Sequence, residues 1–253
     1  MKIGFVIGTY GTPSYVELGI RKLLSFGVSP KDILVIDDAS GDEKLPVICK
    51  ELGVGFESNE KNLGHFPGDF HVFSRAADWG FVKGYDLVIK VSRRFICLQD
   101  PRPSLKALHE RFNASCYGTR NAVLGLPLRT EFVALNVDHW MFFIKGLDQQ
   151  LCDTSRRPGT FEGWFAEIAR KVQTLHVRSS KNVSHDELKK FGFIYWDFVH
   201  FNVSYRSEKQ LWHFANEPKD YFEATKGIGM DCSIEDFEYG SRGHFSINGR
   251  TVW

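Results

Sequence analysis

The sequence lacks a hydrophobic run of the roughly 18 residues that a membrane span needs. Its apolar start, Met1 to Gly8, is too short for a signal-peptide core and runs straight into turn residues. It also lacks any Cys-x-x-Cys pair. The five cysteines, at 49, 97, 116, 152 and 232, are odd in number and widely spaced, which speaks against a zinc knuckle, a dithiol redox motif or a small disulfide scaffold and points to a reducing compartment. Charge of one sign is missing too. With 32 Lys and Arg against 31 Asp and Glu, the formal net charge is +1, so no global field draws the chain to nucleic acid or an anionic bilayer. Any anion it binds must be met by a local site, and the expectation is a cytoplasmic protein with no transmembrane segment and no nucleic-acid partner.

Catalytic signatures are missing as well. There is no Gly-x-Ser-x-Gly elbow, no Walker loop and no His-Glu-x-x-His, which removes the common hydrolase, ATPase and zinc-protease readings. His176, His185 and His200 show no metal-ligand spacing. The Gly-x-Gly-x-x-Gly fingerprint is absent, and Pro13 falls where its glycine-rich turn should open into a helix. A Rossmann-type oxidoreductase or methyltransferase, with Gly8 and Gly11 at the phosphate and Asp37 at the ribose, is therefore an alternative without its fingerprint.

What is present is a 253-residue chain, 43% hydrophobic and 25% charged, the size of one large α/β domain or two small ones. Aromatics make up 14%, enough to supply core volume and also flat platforms for sugar rings or bases. Hydrophobic patterning predicts strands over 3–7, 33–36, 54–57 and 87–91. Helices are predicted over 15–26, behind a Ser14 cap, and over 45–52 and 68–80. This alternation implies a mostly parallel sheet covered on both faces. The second half is less regular, with strands expected at 114–118, 132–137 and 191–196 and a helix at 160–172, which suggests α+β additions to the sheet edge. From about 204 the sequence is polar, aromatic and without a clear period, and reads as an irregular C-terminal extension packed on a single domain.

In open parallel sheets, ligands bind beyond the carboxyl ends of the strands. The first strand ends in Gly8-Thr9-Tyr10-Gly11-Thr12-Pro13, the second in Asp37-Asp38-Ala39-Ser40, and the turn before the third helix carries Asn62-Leu63-Gly64. Taken together, these resemble the nucleotide-binding half of the GT-A glycosyltransferases, especially the family-2 type, over roughly residues 1–95, with Gly11 where Asn is usual and Ala39 where Gly is usual. The resemblance implies a GT-A-like, Rossmann-like domain that moves a sugar from a nucleotide-sugar donor, UDP-linked, to a carbohydrate or glycolipid acceptor. Residues 1–95 would form the nucleotide half, 96–203 the acceptor side and 204–253 the extension. It also implies that Thr9, Tyr10 and Asp38 hold the nucleoside, that Asn62 and Gly64 shape the ribose side, and that Asp37 holds the loop. The chemistry of the base agrees: a uracil N3–H needs one carboxylate acceptor and its ring needs one aromatic face. A turn in which Asp37, Asp38 and Ser40 simply cap the next helix is the plainer reading of the same residues.

Members of that family usually end the fourth strand in Asp-x-Asp, which holds Mn²⁺ or Mg²⁺ against the diphosphate. This chain has no Asp-x-Asp anywhere and ends the strand in Lys90-Val91-Ser92-Arg93-Arg94-Phe95. The segment is similar to a Lys-Ile-Ser-Gly-Arg-Tyr element in bacterial surface-polysaccharide glycosyltransferase-like proteins, matched at Lys90, Ser92 and Arg94. Those three are the expected diphosphate ligands; no metal ligands are assigned, a divalent metal such as Mn²⁺ held by other carboxylates such as Asp69 or Asp100 is the alternative, and a metal-independent transfer or an inactive nucleotide- or glycan-binding relative are both open. A solvated basic strand end is the plain alternative, although an unpaired ammonium at Lys90 inside an apolar strand would be expensive. For the general base, the candidates are Glu162, at the start of the helix expected over 160–172, and Asp138, in Asn136-Val137-Asp138-His139-Trp140. Glu in a first helical turn is also favoured by the helix dipole alone.

Overall fold

The computed structural model describes residues 1–93, 95–97, 99–114, 116–118, 130–140, 218–237, 245–247 and 250–252. In chain order it runs β1 (Ile3–Thr9), α1 (Pro13–Ser25), a 3-10 turn (Pro30–Asp32), β2 (Ile33–Asp37), α2 (Lys44–Glu51), β3 (Gly55–Ser58), α3 (His65–Lys83) and β4 (Leu87–Ser92). Then come α4 (Arg102–Phe112), β5 (Cys116–Gly118), β6 (Phe132–Asn136), α5 (Pro218–Ala224), a 3-10 turn (Ile234–Phe237) and the pair β7 (Phe245–Ile247) and β8 (Arg250–Val252).

Six strands form one sheet in the order β3-β2-β1-β4-β6-β5. The first four are parallel, while β6 runs antiparallel to β4 and β5 antiparallel to β6. Strands buried on both faces need continuous apolar runs, and β2 is buried along its whole length. Alternate residues divide the core. Phe5, Ile7, Ile33, Val35, Ile89 and Val91 face α1, α2 and α4 through Val16, Ile20, Leu45, Cys49, Leu105 and Leu108. Val6, Leu34, Ile36 and Val88 face α3 through Val72, Phe73, Ala76 and Ala77. Register sets the strand ends level: Thr9 lies beside Asp37, and Gly8 beside Ser92. A side chain at Gly8 would meet Val72 at 3.1 Å, so glycine lets α3 settle close over the end of β1.

Several boundaries differ from the sequence expectation. Helix α1 begins at Pro13, not behind Ser14, and its N-cap Thr12 makes no side-chain cap. Proline explains this, because its fixed φ suits the first helical position and its missing N–H needs no cap. Helix α3 starts at His65, three residues early. Helix α4 was not anticipated; its start carries Pro101 and Pro103, which read as breakers but are tolerated in a first turn. Val137 leaves β6 and opens a helical turn over 137–140. The expected helix at 160–172 and strand at 191–196 lie outside the described residues.

The C-terminal extension contributes a third cluster. Tyr221, Ala224 and Phe237 cover Tyr15, Leu18 and Ile96, and the Tyr15 hydroxyl donates to the Phe237 carbonyl at 2.5 Å. Among the described residues, no helix is long and apolar enough to cross a membrane.

Candidate functional site

The loops after β1, β2 and β4 and the N-terminus of α3 meet beyond the carboxyl ends of the parallel strands. Between β1 and β4 the strand order reverses, which is where such sheets open a crevice.

Asp37 is buried and binds the first two loops together. Its carboxylate accepts the Gly11 N–H at 3.2 Å, the Ser40 N–H at 2.8 Å and the Ser40 hydroxyl at 2.9 Å. Thr9 is also buried, and its hydroxyl donates to the Gly11 carbonyl at 2.6 Å. Gly11 and Thr12 then turn the chain sharply with φ of 64° and 60°. Between these anchors Tyr10 projects, 50% exposed, with its carbonyl accepting from Arg93 Nη1 at 2.8 Å.

Asp38 turns the other way. One carboxylate oxygen accepts from Asn59 Nδ2 at 2.8 Å and Leu63 N–H at 2.9 Å, and the other from Gly64 N–H at 3.1 Å. Those backbone donors lie just before α3, which is why the helix begins early. A side chain at Gly68 would stand 2.9 Å from the Asp38 carboxylate, so glycine in the first turn makes room for it. With three donors on its two oxygens, the buried Asp38 carboxylate is well satisfied by the entry to α3. Asn62 is exposed in the same turn, and Gly64 takes φ 79° at the helix N-cap.

At the end of β4, Lys90 is only 1% exposed. Its ammonium donates to Asp69 Oδ1 at 3.1 Å and to the Thr130 carbonyl at 2.8 Å, and lies 4.8 Å from the centroid of the Phe73 ring. The lysine expected to reach the diphosphate is thus held inside, joining α3 to the segment entering β6. Half-buried Ser92 donates its N–H to the Glu131 carbonyl at 2.8 Å, and the Arg93 N–H bonds the Gly8 carbonyl at 3.0 Å. Arg94 and Glu162 lie outside the described residues. Because β6 runs antiparallel to β4, with Phe132 beside Val91 and Asn136 beside Leu87, Asp138 emerges at the amino end of β4, about 17 Å along the strand from the other site residues. It is exposed there and does not join the site.

Three residues outside the expected ligand set lie among these contacts: Asn59, Asp69 and Arg93. Only Asp69 left a readable signal. It heads the sheet-facing stripe of 69, 72, 73 and 76, a carboxylate at the end of an apolar face opposite a lysine set in an apolar strand. Nearby, burial and then Arg75 push the His71 imidazole below its ordinary value, against the opposing pull of Asp38 and Glu57.

A divalent cation would need several oxygen ligands at the end of β4. The described residues there offer the Ser92 hydroxyl and the Arg93 guanidinium, while Asp69 faces Lys90. No group of three or more His, Cys, Asp or Glu suited to a metal occurs among the described residues. Among the described residues, the donors at the end of β4 are not a carboxylate set of the kind that holds Mn²⁺ or Mg²⁺.

No protein-family model matches the sequence, and no curated protein matches it. Solved structures do resemble it. The apo-form glycosyltransferase GlyE of Streptococcus pneumoniae TIGR4 aligns with a TM-score of 0.52 at 12% identity, over 96% of this chain and 64% of that one. A mannosyltransferase from Pyrobaculum calidifontis, in complex with GDP-Man and Mn²⁺, aligns at 0.48 and 12% identity, over 95% and 68%. Glucosyl-3-phosphoglycerate synthase from Mycobacterium tuberculosis, in complex with phosphoglyceric acid, aligns at 0.41 and 15% identity, over 55% and 57%. The chain therefore spans less than two thirds of the GlyE and mycobacterial structures. The likeness to GlyE places the six-stranded, mostly parallel sheet and its flanking helices in the GT-A glycosyltransferase type of fold.

Proposed function

We propose that this protein is a glycosyltransferase that moves a sugar from a nucleotide donor, UDP-linked, to a carbohydrate or lipid-linked glycan acceptor. The observation that carries the reading is the arrangement of Tyr10 and Asp38 at the crevice of a GT-A-type sheet. A half-exposed aromatic ring stands on a loop fixed by Asp37, and Asp38 follows Asp37 at the end of the neighbouring strand. A uracil ring would stack on Tyr10 and give its N3–H to Asp38, while Thr9 fixes the loop and Asn62 and Gly64 border the ribose. Residues 1–95 would carry the donor and 96–203 the acceptor, with Glu162 as the proposed base and Arg94 as a proposed diphosphate ligand beside the β4 end.

The test is calorimetry with uridine, UDP and other nucleoside diphosphates. Tyr10→Ala is the first variant, because its ring is exposed and its removal should leave the thermal midpoint unchanged. Loss of one stacking face should weaken uridine by about 1–3 kcal/mol. Unchanged affinity would remove Tyr10 from the nucleoside site, and binding of S-adenosylmethionine or a nicotinamide nucleotide in place of UDP would move the protein to another class.

A further inference from the structure

We propose that the C-terminal segment 218–237 is a positioning clamp for the candidate site: by packing on the start of α1 and on the chain leaving β4, it fixes the two loops that flank the crevice. Its bearing on nucleotide affinity rests on the nucleotide-sugar reading above. The loop after β1 ends in two left-handed residues, Gly11 and Thr12, and leads directly into α1. That helix start is weakly secured from within. Thr12 supplies no side-chain cap, and the first backbone bond, from the Val16 N–H to the Thr12 carbonyl, is long at 3.4 Å. Tyr15, in the first turn and fully buried, supplies the hold from outside. Its ring centroid lies 4.5 Å from that of Tyr221 and 5.1 Å from that of Phe237, and its hydroxyl donates to the Phe237 carbonyl at 2.5 Å.

The loop after β4 is caught by the same layer. Beyond Arg93 the chain turns, with the Phe95 N–H bonded to the Ser92 carbonyl at 2.9 Å, and lays Ile96 into the cluster of Tyr15, Leu18, Tyr221, Ala224 and Phe237. A side chain at Gly19 would stand 3.8 Å from Ile96 and 3.7 Å from Ile7, so Ile96 lies close against α1. Tyr15 and Ile96 are thus the far anchors of the loops that carry Tyr10 and Arg93, and those loops are bonded to each other through the Arg93 guanidinium and the Tyr10 carbonyl. The cores on the two faces of the sheet are built from other residues, so loosening this cluster frees the loops while the sheet stays packed. A ligand that needs the loops in one geometry and a layer that imposes it are linked, and each favours the other by the same factor.

Hydrogen exchange of the full chain, read amide by amide, is the test, joined to calorimetry with UDP. Phe237→Leu thins the layer, and Tyr15→Phe removes the hydroxyl while keeping the ring. Both should speed exchange at the Gly11, Val16 and Arg93 amides while the amides of β2 keep wild-type protection, because the layer opens locally and not with the sheet. UDP affinity should fall about 5-fold or more, and UDP should in turn slow exchange across 221–237 in the wild type. Equal acceleration at the loops and in β2 would overturn the proposal, reducing the layer to a contributor to overall stability. Unchanged loop exchange in both variants would overturn it too, as would wild-type UDP affinity in variants whose loops exchange faster. If the wild type binds neither UDP nor any other nucleoside diphosphate, the nucleotide reading fails, and the exchange pattern alone then sustains or sinks the clamp.

Discussion

Ala39 holds φ 54°, a left-handed conformation in which an L side chain crowds the next carbonyl and glycine does not. It stands between Asp38 and Ser40, where the strain helps aim two carboxylates in opposite directions. Ala39→Gly should relieve more strain than the added chain entropy removes and raise stability by about 0.5–1 kcal/mol in urea denaturation. Asp38→Ala should do the reverse, costing about 1–3 kcal/mol, because the Leu63 and Gly64 N–H groups lose their acceptor. The doublet itself was legible in the sequence. That Asp38 would hold the entry to α3 was not, since its partners lie 21 to 26 residues away, and only the folded loop brings them within reach.

At the scale of elements, the ion pair of Lys90 and Asp69 ties β4 to α3, with Lys90 buried and Asp69 24% exposed. Lys90→Ala should cost about 3 kcal/mol, the low end for breaking a buried pair, because water can still reach Asp69. Replacing both, as Lys90→Met with Asp69→Leu, should recover much of that loss in the same denaturation assay. Two helices also carry histidines that resist protonation. Burial lowers His71 of α3 and His109 of α4 from the usual 6.5. The Tyr117 hydroxyl accepts the Ala114 N–H at 2.8 Å and pairs with His109 Nδ1 at 3.2 Å, the histidine tautomer setting which of those two donates. Between the lowered folded-state values and 6.5 the unfolded chain binds more protons, so stability is complete above about pH 6.5 and declines as pH falls. Denaturation midpoints at pH 7.5 and 5.5 should show this decline, and His109→Gln should flatten it. The alternation of strands and helices in the first half was readable because each element buries its own continuous or 3.6-spaced apolar set. The direction of β6 was not, since a buried strand reads the same in either direction, and the end at which Asp138 emerges depends on that direction.

For the whole molecule, the core on the α1, α2 and α4 side of the sheet seals two thiols, Cys49 and Cys97. Burial pushes Cys49 up to about 12 and also raises Cys97, so neither forms the reactive thiolate near neutrality. A thiol reagent at pH 8 should leave both untouched until denaturant is added; fast labelling of the folded protein would contradict the packing. The layer over the outer side of α1 is also predicted to be cohesive: Tyr221→Ala, which removes a fully buried ring stacked on Phe237, should cost about 3–5 kcal/mol.

The bond from Tyr15 to Phe237 joins positions 222 residues apart. During synthesis, α1 emerges long before the residues that cover its outer side. For most of that interval Tyr15, Leu18 and Ile96 remain uncovered, a sticky patch on an otherwise assembled sheet. Closing so long a span is slow and entropically unfavourable. Docking of these residues onto α1 would therefore come late relative to the assembly of the sheet, with the nascent chain exposed to aggregation through this patch until it happens.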